Sequence, residues 1–192
     1  MKKLSTFLVA VAITAVAFAQ EAKVQVNNSN IEWVAEKVTG EHNGNISFSE
    51  GNLALKKGKL VGGELTVDVT SMTCEDLTDP GYNAKLIGHL KSADFFNTDE
   101  YSTAKLVITN AKHKDGDNYS VTADLTIKGI TKPVTFDAVV LVDGKSVKLG
   151  AVVVINRTEY DIKYGSASFF EGLGDKAIYD EFKLKVQVAA TL

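Results

Sequence analysis

The sequence predicts an all-β fold: a single antiparallel eight-stranded barrel with one short helix. Three observations predict it. Apolar and polar residues alternate with period two through most of the chain, the mark of half-buried strands. Short turns separate the runs, which makes neighbouring strands antiparallel. So many long strands in one sheet would leave two exposed edges, and closure removes them.

The elements follow in chain order. Strands are expected near 30–39, 44–50, 52–57 and 60–70, with Glu50-Gly51-Asn52 as a hairpin or bulge between two of them. Within the last of these, Leu65, Val67 and Val69 alternate with Thr66, Asp68 and Thr70. Asp79-Pro80 then reads as a helix start, Asp as cap and Pro at the first helical position. Tyr82, Leu86 and Leu90, with Ile87 beside them, form an apolar stripe over 82–91 that would pack on the sheet or close one end of the barrel. Residues 92–103 read as an ordered loop carrying Phe95-Phe96.

Ala104, Leu106 and Ile108 open the next strand, which ends near Lys112 at the turn Asp115-Gly116-Asp117-Asn118. Val121, Ala123, Leu125 and Ile127 follow, then Lys128-Gly129. Val134, Phe136, Ala138, Val140 and Val142 share one face of a strand whose other face passes from Thr135 and Asp137 to Val139 and Leu141. After Asp143-Gly144-Lys145 another strand leads to a loop over 158–177 carrying Phe169-Phe170. The chain closes on Phe182, Leu184, Val186 and Val188. That makes eight or nine strands in one domain.

Composition narrows the function classes. The chain has 192 residues, 45% hydrophobic and 23% charged, too apolar and too weakly charged for disorder. Residues 1–19 read as a secretory signal peptide: Lys2-Lys3, an apolar run to Phe18, and Ala17-Phe18-Ala19 before the expected cut at Gln20. The mature chain, 20–192, would be exported, periplasmic or secreted. It carries 24 acidic residues against 19 basic ones once Lys2 and Lys3 are removed from the 21, which argues against nucleic acid as a partner. One Cys permits no internal disulfide. Cys74 is expected to be buried and inert rather than exposed and pairing between chains, and with no His near it in sequence it is not expected to be catalytic.

Catalytic patterns are weak. His42, His89 and His113 form no HxH, HxxxH or HExxH pair, so no metal site is expected. His42 is read in a turn, His89 on the helix near its apolar stripe, and His113 in a charged turn facing water. Gly165-Ser166-Ala167-Ser168 is not a nucleophile elbow, and Gly172-Leu173-Gly174-Asp175 lacks the Lys-Ser/Thr of a phosphate loop. Glu171 and Asp175 are weak candidates for a glycosidase-like pair. Asn156-Arg157-Thr158 is formally a glycosylation acceptor.

Four blocks carry a resemblance. They are Trp33-Val34 with Lys37-Val38-Thr39-Gly40-Glu41-His42-Asn43-Gly44; His89-Leu90-Lys91-Ser92-Ala93-Asp94-Phe95-Phe96 with Tyr101-Ser102-Thr103-Ala104; Leu125 to Val134; and Ile155-Asn156-Arg157 with Tyr164-Gly165-Ser166 and Gly172 to Ile178. In this order they resemble the YceI-like family from about Ile31 to the C-terminus. Where that family commonly has Phe-Gly after the Asn-Arg block, this chain has Tyr160-Asp161-Ile162. The resemblance implies a lipocalin-like barrel, a periplasmic or secreted location, and a polyisoprenoid, quinone-type lipid or fatty-acid amide held inside, with no catalysis and no cofactor. Several members are dimers, so a homodimer and transient membrane contact are expectations.

Inward strand phase and loop aromatics together nominate a ligand lining. Before the helix it comprises Trp33, Phe48, Leu65 and Val67. On the helix and the loop after it, Leu90 and Phe95 join. The later strands add Leu106, Ile108, Leu125, Phe136, Val154 and Phe182, and the second Phe-bearing loop adds Phe169. Tyr164, Asn156 and Arg157 are candidates for contacting a head group at one opening. Two rival readings are a filled barrel that acts through its surface, and a lipid-modifying enzyme. The second needs a polar pair inside the barrel, and the inner face offers none clearly.

Overall fold

The structure, a computed structural model, describes residues 19–192. The leader assigned to residues 1–19 therefore lies almost wholly outside the described residues. Nine strands and one α-helix follow in the order β1 (Gln20–Val24), β2 (Asn30–Lys37), β3 (Gly40–Lys56), β4 (Lys59–Asp68), α1 (Pro80–Lys91), β5 (Thr103–His113), β6 (Asn118–Ile127), β7 (Ile130–Asp143), β8 (Ser146–Asn156) and β9 (Ile178–Thr191).

The sheet runs β3-β2-β9-β8-β7-β6-β5-β4, every pair antiparallel, and β4 pairs back onto β3, so the barrel closes. The short β1 does not add a ninth stave. It sits between β3 and β9 at one end (Ala22↔Leu53, Lys23↔Thr191), and β2 takes over between the same two strands from Asn30↔Gln187 onward. A turn at Val26–Asn28 divides what is otherwise one stave.

The tight turns obey local chemistry. Lys57-Gly58 and Lys128-Gly129 both hold two consecutive residues at positive φ (53° and 73°; 49° and 72°), the hairpin geometry that matches strand twist. The break expected near Glu50-Gly51-Asn52 is a bulge within one long strand. The β3–β4 register shifts between Phe48 and Glu50, and β3 continues to Lys56.

The helix starts as its cap chemistry dictates. Asp79 accepts hydrogen bonds from the amides of Gly81 (2.8 Å) and Tyr82 (3.0 Å). Its packing face is narrower than the expected stripe. Leu86, Ile87 and Leu90 pack against the core, whereas Tyr82 is 69% exposed. Tyr82 lies in the first turn of the helix.

The barrel has two unlike ends. Turns 57–58, 114–117 and 144–145 mark the lower end; α1 and the loops 69–102 and 157–177 mark the upper end. The lower end is solid. Ala22, Leu53, Leu55, Val121 and Val147 there have no exposed surface, and Leu60 has 1%. β1 closes this end by adding Ala22 and Val24 to that layer.

Candidate functional site

Above the filled layer the barrel is hollow. A cavity of about 230 Å³ is walled by inward residues of β2 to β9 and roofed by α1 and the loop after it. All but two of the nominated lining residues are on its wall: Trp33, Phe48, Leu65, Val67, Leu90, Phe95, Leu106, Ile108, Leu125, Phe136 and Phe182. Sequence reading missed Ile31, Ile46, Ile127, Ile155, Leu184 and Val186, which share the wall. For all but Ile155 the signal was present, since each has the same strand phase as a nominated residue on its own strand.

Val154 and Phe169 are corrections. Val154 is 49% exposed and points outward, while Val153 and Ile155 point in. β8 is apolar on both faces, so alternation cannot choose its phase. Pairing with β9 chooses it, through Val153↔Leu184 and Ile155↔Phe182. The two Phe pairs part ways. Phe95 is buried under the roof and Phe96 meets Phe182 edge-on at 6.4 Å. Phe169 and Phe170 are each 51% exposed at the upper rim, and Lys163 Nζ stands 5.1 Å over the Phe169 ring.

The roof is an aromatic stack. His89 packs edge-on against Phe95 (4.9 Å) and Tyr164 (4.6 Å), and its Nε2 lies 3.4 Å from an oxygen of Asp94. His89 therefore forms part of the cavity wall, not a free surface. The other polar residues on the wall are Glu36, Lys37, His42, Lys105, Arg157 and Tyr179, all toward the upper end. The middle of the cavity is aliphatic and aromatic throughout, so an occupant there would meet no fixed charge.

Of the three head-group candidates, the structure employs two elsewhere. Asn156 Oδ1 accepts from the amide of Thr158 (3.0 Å) and its hydroxyl (2.7 Å), capping a short 3-10 turn. Arg157 is 5% exposed and donates to four carbonyls: Ile162 (2.8 Å), Tyr164 (2.9 Å), Ile178 (3.0 Å) and Tyr179 (3.0 Å). A guanidinium has five N–H donors, and the remaining side of this one faces Asp180 at 3.6 Å. Arg157 thus ties the 157–164 loop to the start of β9 and has little left to offer a ligand.

Burial draws the Arg157 pKa down and Asp180 opposes the shift. Burial pushes the Asp180 carboxyl up, but hydrogen bonds from Ser166 and Ser168 and the charge of Arg157 outweigh it and hold the group below its ordinary range. Tyr164, 46% exposed, remains at the mouth.

The remaining sequence candidates do not assemble. Ser166 is fully buried and is not displayed as a nucleophile. Glu171 and Asp175 lie exposed in the 157–177 loop. His113 is not in the turn: it ends β5, half-buried and edge-on to Tyr119 at 5.1 Å, with its Nε2 2.8 Å from the Gly116 carbonyl. Cys74 is buried, as expected, but the expected distance from histidine is overturned. His42 stands on β3, paired with Ala35, not in a turn, and it meets Asp76 beside Cys74. Spacing along the chain does not reveal that meeting, because it forms between a strand and the segment two elements later.

Comparison with known proteins bears on the whole barrel. The model of a family described as the YceI-like domain matches residues 22–190. UPF0312 protein plu2095 of Photorhabdus laumondii subsp. laumondii is 35% identical over 105 residues, covering 55% of this chain and 48% of that protein. Protein YceI of Escherichia coli is 36% identical over 104 residues, covering 54% and 48%. The chain thus spans about half the length of the curated relatives it matches. Among solved structures, Burkholderia cenocepacia BcnA superposes with a TM-score of 0.70 at 25% identity, covering 88% of this chain and 99% of that one. A polyisoprenoid binding domain from Saccharophagus degradans, implicated in plant cell wall breakdown, superposes with a TM-score of 0.64 at 13% identity, covering 88% and 97%.

Proposed function

This chain belongs to the YceI-like family, and on that premise we propose that its barrel holds a long apolar lipid, isoprenoid or acyl, for transport or storage outside the cytoplasm. The observation that carries the reading is the hollow upper half of the barrel, about 230 Å³ walled by Trp33, Leu65, Leu106, Leu125, Phe136 and their neighbours. A sequence that needed only a stable barrel would gain by filling this space, since empty volume forfeits packing. In the lower half of the same barrel Ala22, Leu53, Leu55, Val121 and Val147 have no exposed surface.

Each methylene moved from water into such a wall gains about 0.8 kcal/mol. Burial is non-directional, so the site discriminates weakly among chain chemistries. Polar wall residues gather at the upper end, which orients an amphiphile with its tail down and its polar end toward α1 and Tyr164. No pair of polar groups stands inside the aliphatic section to act on a carbon chain, and the reading includes no catalytic step. The leader-like residues 1–19 support an exported site of action.

A filled barrel acting through its surface is the second reading, and the solid lower half favours it in part. Native mass spectrometry of the protein purified from its own source, followed by organic extraction, separates the two. An extractable prenyl or acyl mass supports the carrier. A clean unliganded mass with no uptake of added quinone overturns it. Leu125→Glu puts a charge on the cavity wall and is expected to abolish retention; a folded variant with the normal lipid load would sink this lining.

A further inference from the structure

Three metal-ligating side chains converge at the upper end, outside the aliphatic section of the cavity. His42 Nδ1 lies 2.7 Å from Asp76 Oδ2, and Cys74 Sγ lies 3.2 Å from Asp76 Oδ1. The ligand atoms of all three fall within 4.8 Å of one another. Tetrahedral zinc, with bonds of about 2.0–2.3 Å, holds neighbouring N, O and S ligands roughly 3.3–3.8 Å apart. Rotamer adjustments on the order of an ångström would bring the three to those separations.

The backbone that carries them is held largely by main-chain hydrogen bonds, with the Asn43 amide also donating to Asp76 Oδ1 (2.9 Å). The Thr73 amide donates to the Asn45 carbonyl (2.9 Å) and the Glu75 amide to the Asn43 carbonyl (2.8 Å), so residues 73–75 continue the edge of β3. The approach is close enough that a Cβ on Gly44 would stand 1.9 Å from the Thr73 carbonyl oxygen. Asn83 Nδ2, from α1, holds the carbonyls of Cys74 (2.9 Å) and Leu77 (3.0 Å).

The donor set decides the ion. A thiolate and an imidazole select borderline ions such as Zn²⁺ over Mg²⁺ or Ca²⁺, which prefer all-oxygen shells. Cys74 is buried, while the side chains of His42 and Asp76 each keep 26% of their surface, which provides a way in from solvent.

We propose that His42, Cys74 and Asp76 bind a divalent ion of the zinc type, through Nδ1, Sγ and a carboxylate oxygen, with the fourth position left to water. On binding, the Cys74 thiol gives its proton to solvent and Sγ becomes the ligand. Nδ1 of His42 must present its lone pair, so any proton it shares with Asp76 also leaves. Binding therefore releases protons and weakens as pH falls. The proposal does not rest on a lipid in the barrel.

The test uses Co²⁺ as the probe, then Zn²⁺. The full mature protein, stripped with a chelator, is titrated with Co²⁺ and followed by absorbance. Expected are one Co²⁺ per chain, a thiolate-to-cobalt charge-transfer band in the near ultraviolet, visible bands of four-coordinate strength, and loss of both on adding equimolar Zn²⁺. The sequence contains one Cys, so any thiolate band reports Cys74 in the unaltered protein, without relying on a variant that folds.

Cys74→Ser is expected to remove that band. His42→Gln is expected to weaken binding at least tenfold, since loss of even an outer partner of a metal site costs about 10–100-fold. Zinc should raise the thermal midpoint of the parent and not that of Cys74→Ser. A folded parent that takes up Co²⁺ with no thiolate band, or takes up none, overturns the proposal and leaves the three residues as a hydrogen-bonded network.

Discussion

Tyr160 and Arg157 sit three residues apart in the chain and solve opposite problems. Tyr160 is 1% exposed, and its hydroxyl meets no hydrogen-bond partner among the described residues. Burial, aided by Glu159, keeps the phenol neutral, its pKa pushed up to about 12. In the unfolded chain a tyrosine ionises near about 10. A raised folded pKa means that Tyr160's contribution is fully present below pH about 10 and is lost as pH rises toward 12. Tyr160→Phe removes both the orphan hydroxyl and the titration. Its stability at neutral pH should match the parent to within about 1 kcal/mol, or exceed it, and the urea midpoints of the two proteins should diverge above pH 10, the parent falling faster. Parallel losses in that window would mean that the phenol is not buried neutral.

Arg157→Lys is expected to cost roughly 2–5 kcal/mol, because three ammonium donors replace five in a fixed fork and leave buried carbonyls unmet. The same urea titration measures it, and an unchanged midpoint would contradict the role assigned to the four carbonyl contacts. Sequence reasoning found the Asn156-Arg157 block but placed it at the ligand. A residue's type and neighbours do not say whether its donors are already taken, and here four backbone carbonyls take them.

At the scale of elements, most of the barrel was legible because period two is written wherever one face is wet. β6 is the clean case, with Val121, Ala123, Leu125 and Ile127 all buried between more exposed neighbours. β8 shows where legibility stops. It is apolar on both faces, leaving Val152 (58% exposed) and Val154 on the outside, and only its partners reveal which face turns in. The segment 72–76 was illegible for another reason, since its pairing with β3 depends on Gly44 having no side chain. Gly44→Ala should therefore drive that segment off the strand. Steric overlap with backbone that cannot yield is expected to cost about 1–3 kcal/mol. It should also break the hydrogen bond from Trp33 Nε1 to the Thr73 carbonyl, now 2.9 Å. Trp33 is the sole tryptophan of the sequence, so its fluorescence reports the break directly, as a red shift and easier quenching. Emission unchanged in Gly44→Ala would show that the segment accommodates a methyl group. The cap of α1 tests the roof in the same spirit. Asp79→Ala removes two hydrogen bonds at the helix start, and a loss of about 1 kcal/mol should appear as faster release of a bound fluorescent fatty acid.

The whole molecule combines a solid half and a hollow half in one closed sheet, and that division sets a length for its cargo. The chamber is finite, about 230 Å³, so it accommodates a chain only up to the length that fills it. Below the limit, each added methylene leaves water for the wall and should tighten binding by about 0.8 kcal/mol, close to fourfold in Kd. Above it, the filled layer of Leu53, Leu55, Leu60 and Val121 blocks the lower end. Any further carbons must then leave past α1 toward Tyr164, Phe169 and Phe170, which are half exposed at the rim. Affinity should therefore climb steeply with chain length and then flatten, with the break at the length that fills the chamber. Calorimetric titration of an unbranched homologous series measures this directly. Replacing Leu65 by Phe narrows the chamber and should move the break to shorter chains without changing the slope below it. A slope near zero across the series would mean that the tail does not enter the barrel. A steep slope with no break would mean that the lower layer opens to let the chain through, and the barrel would then act as a channel-like sheath rather than a cup with a floor.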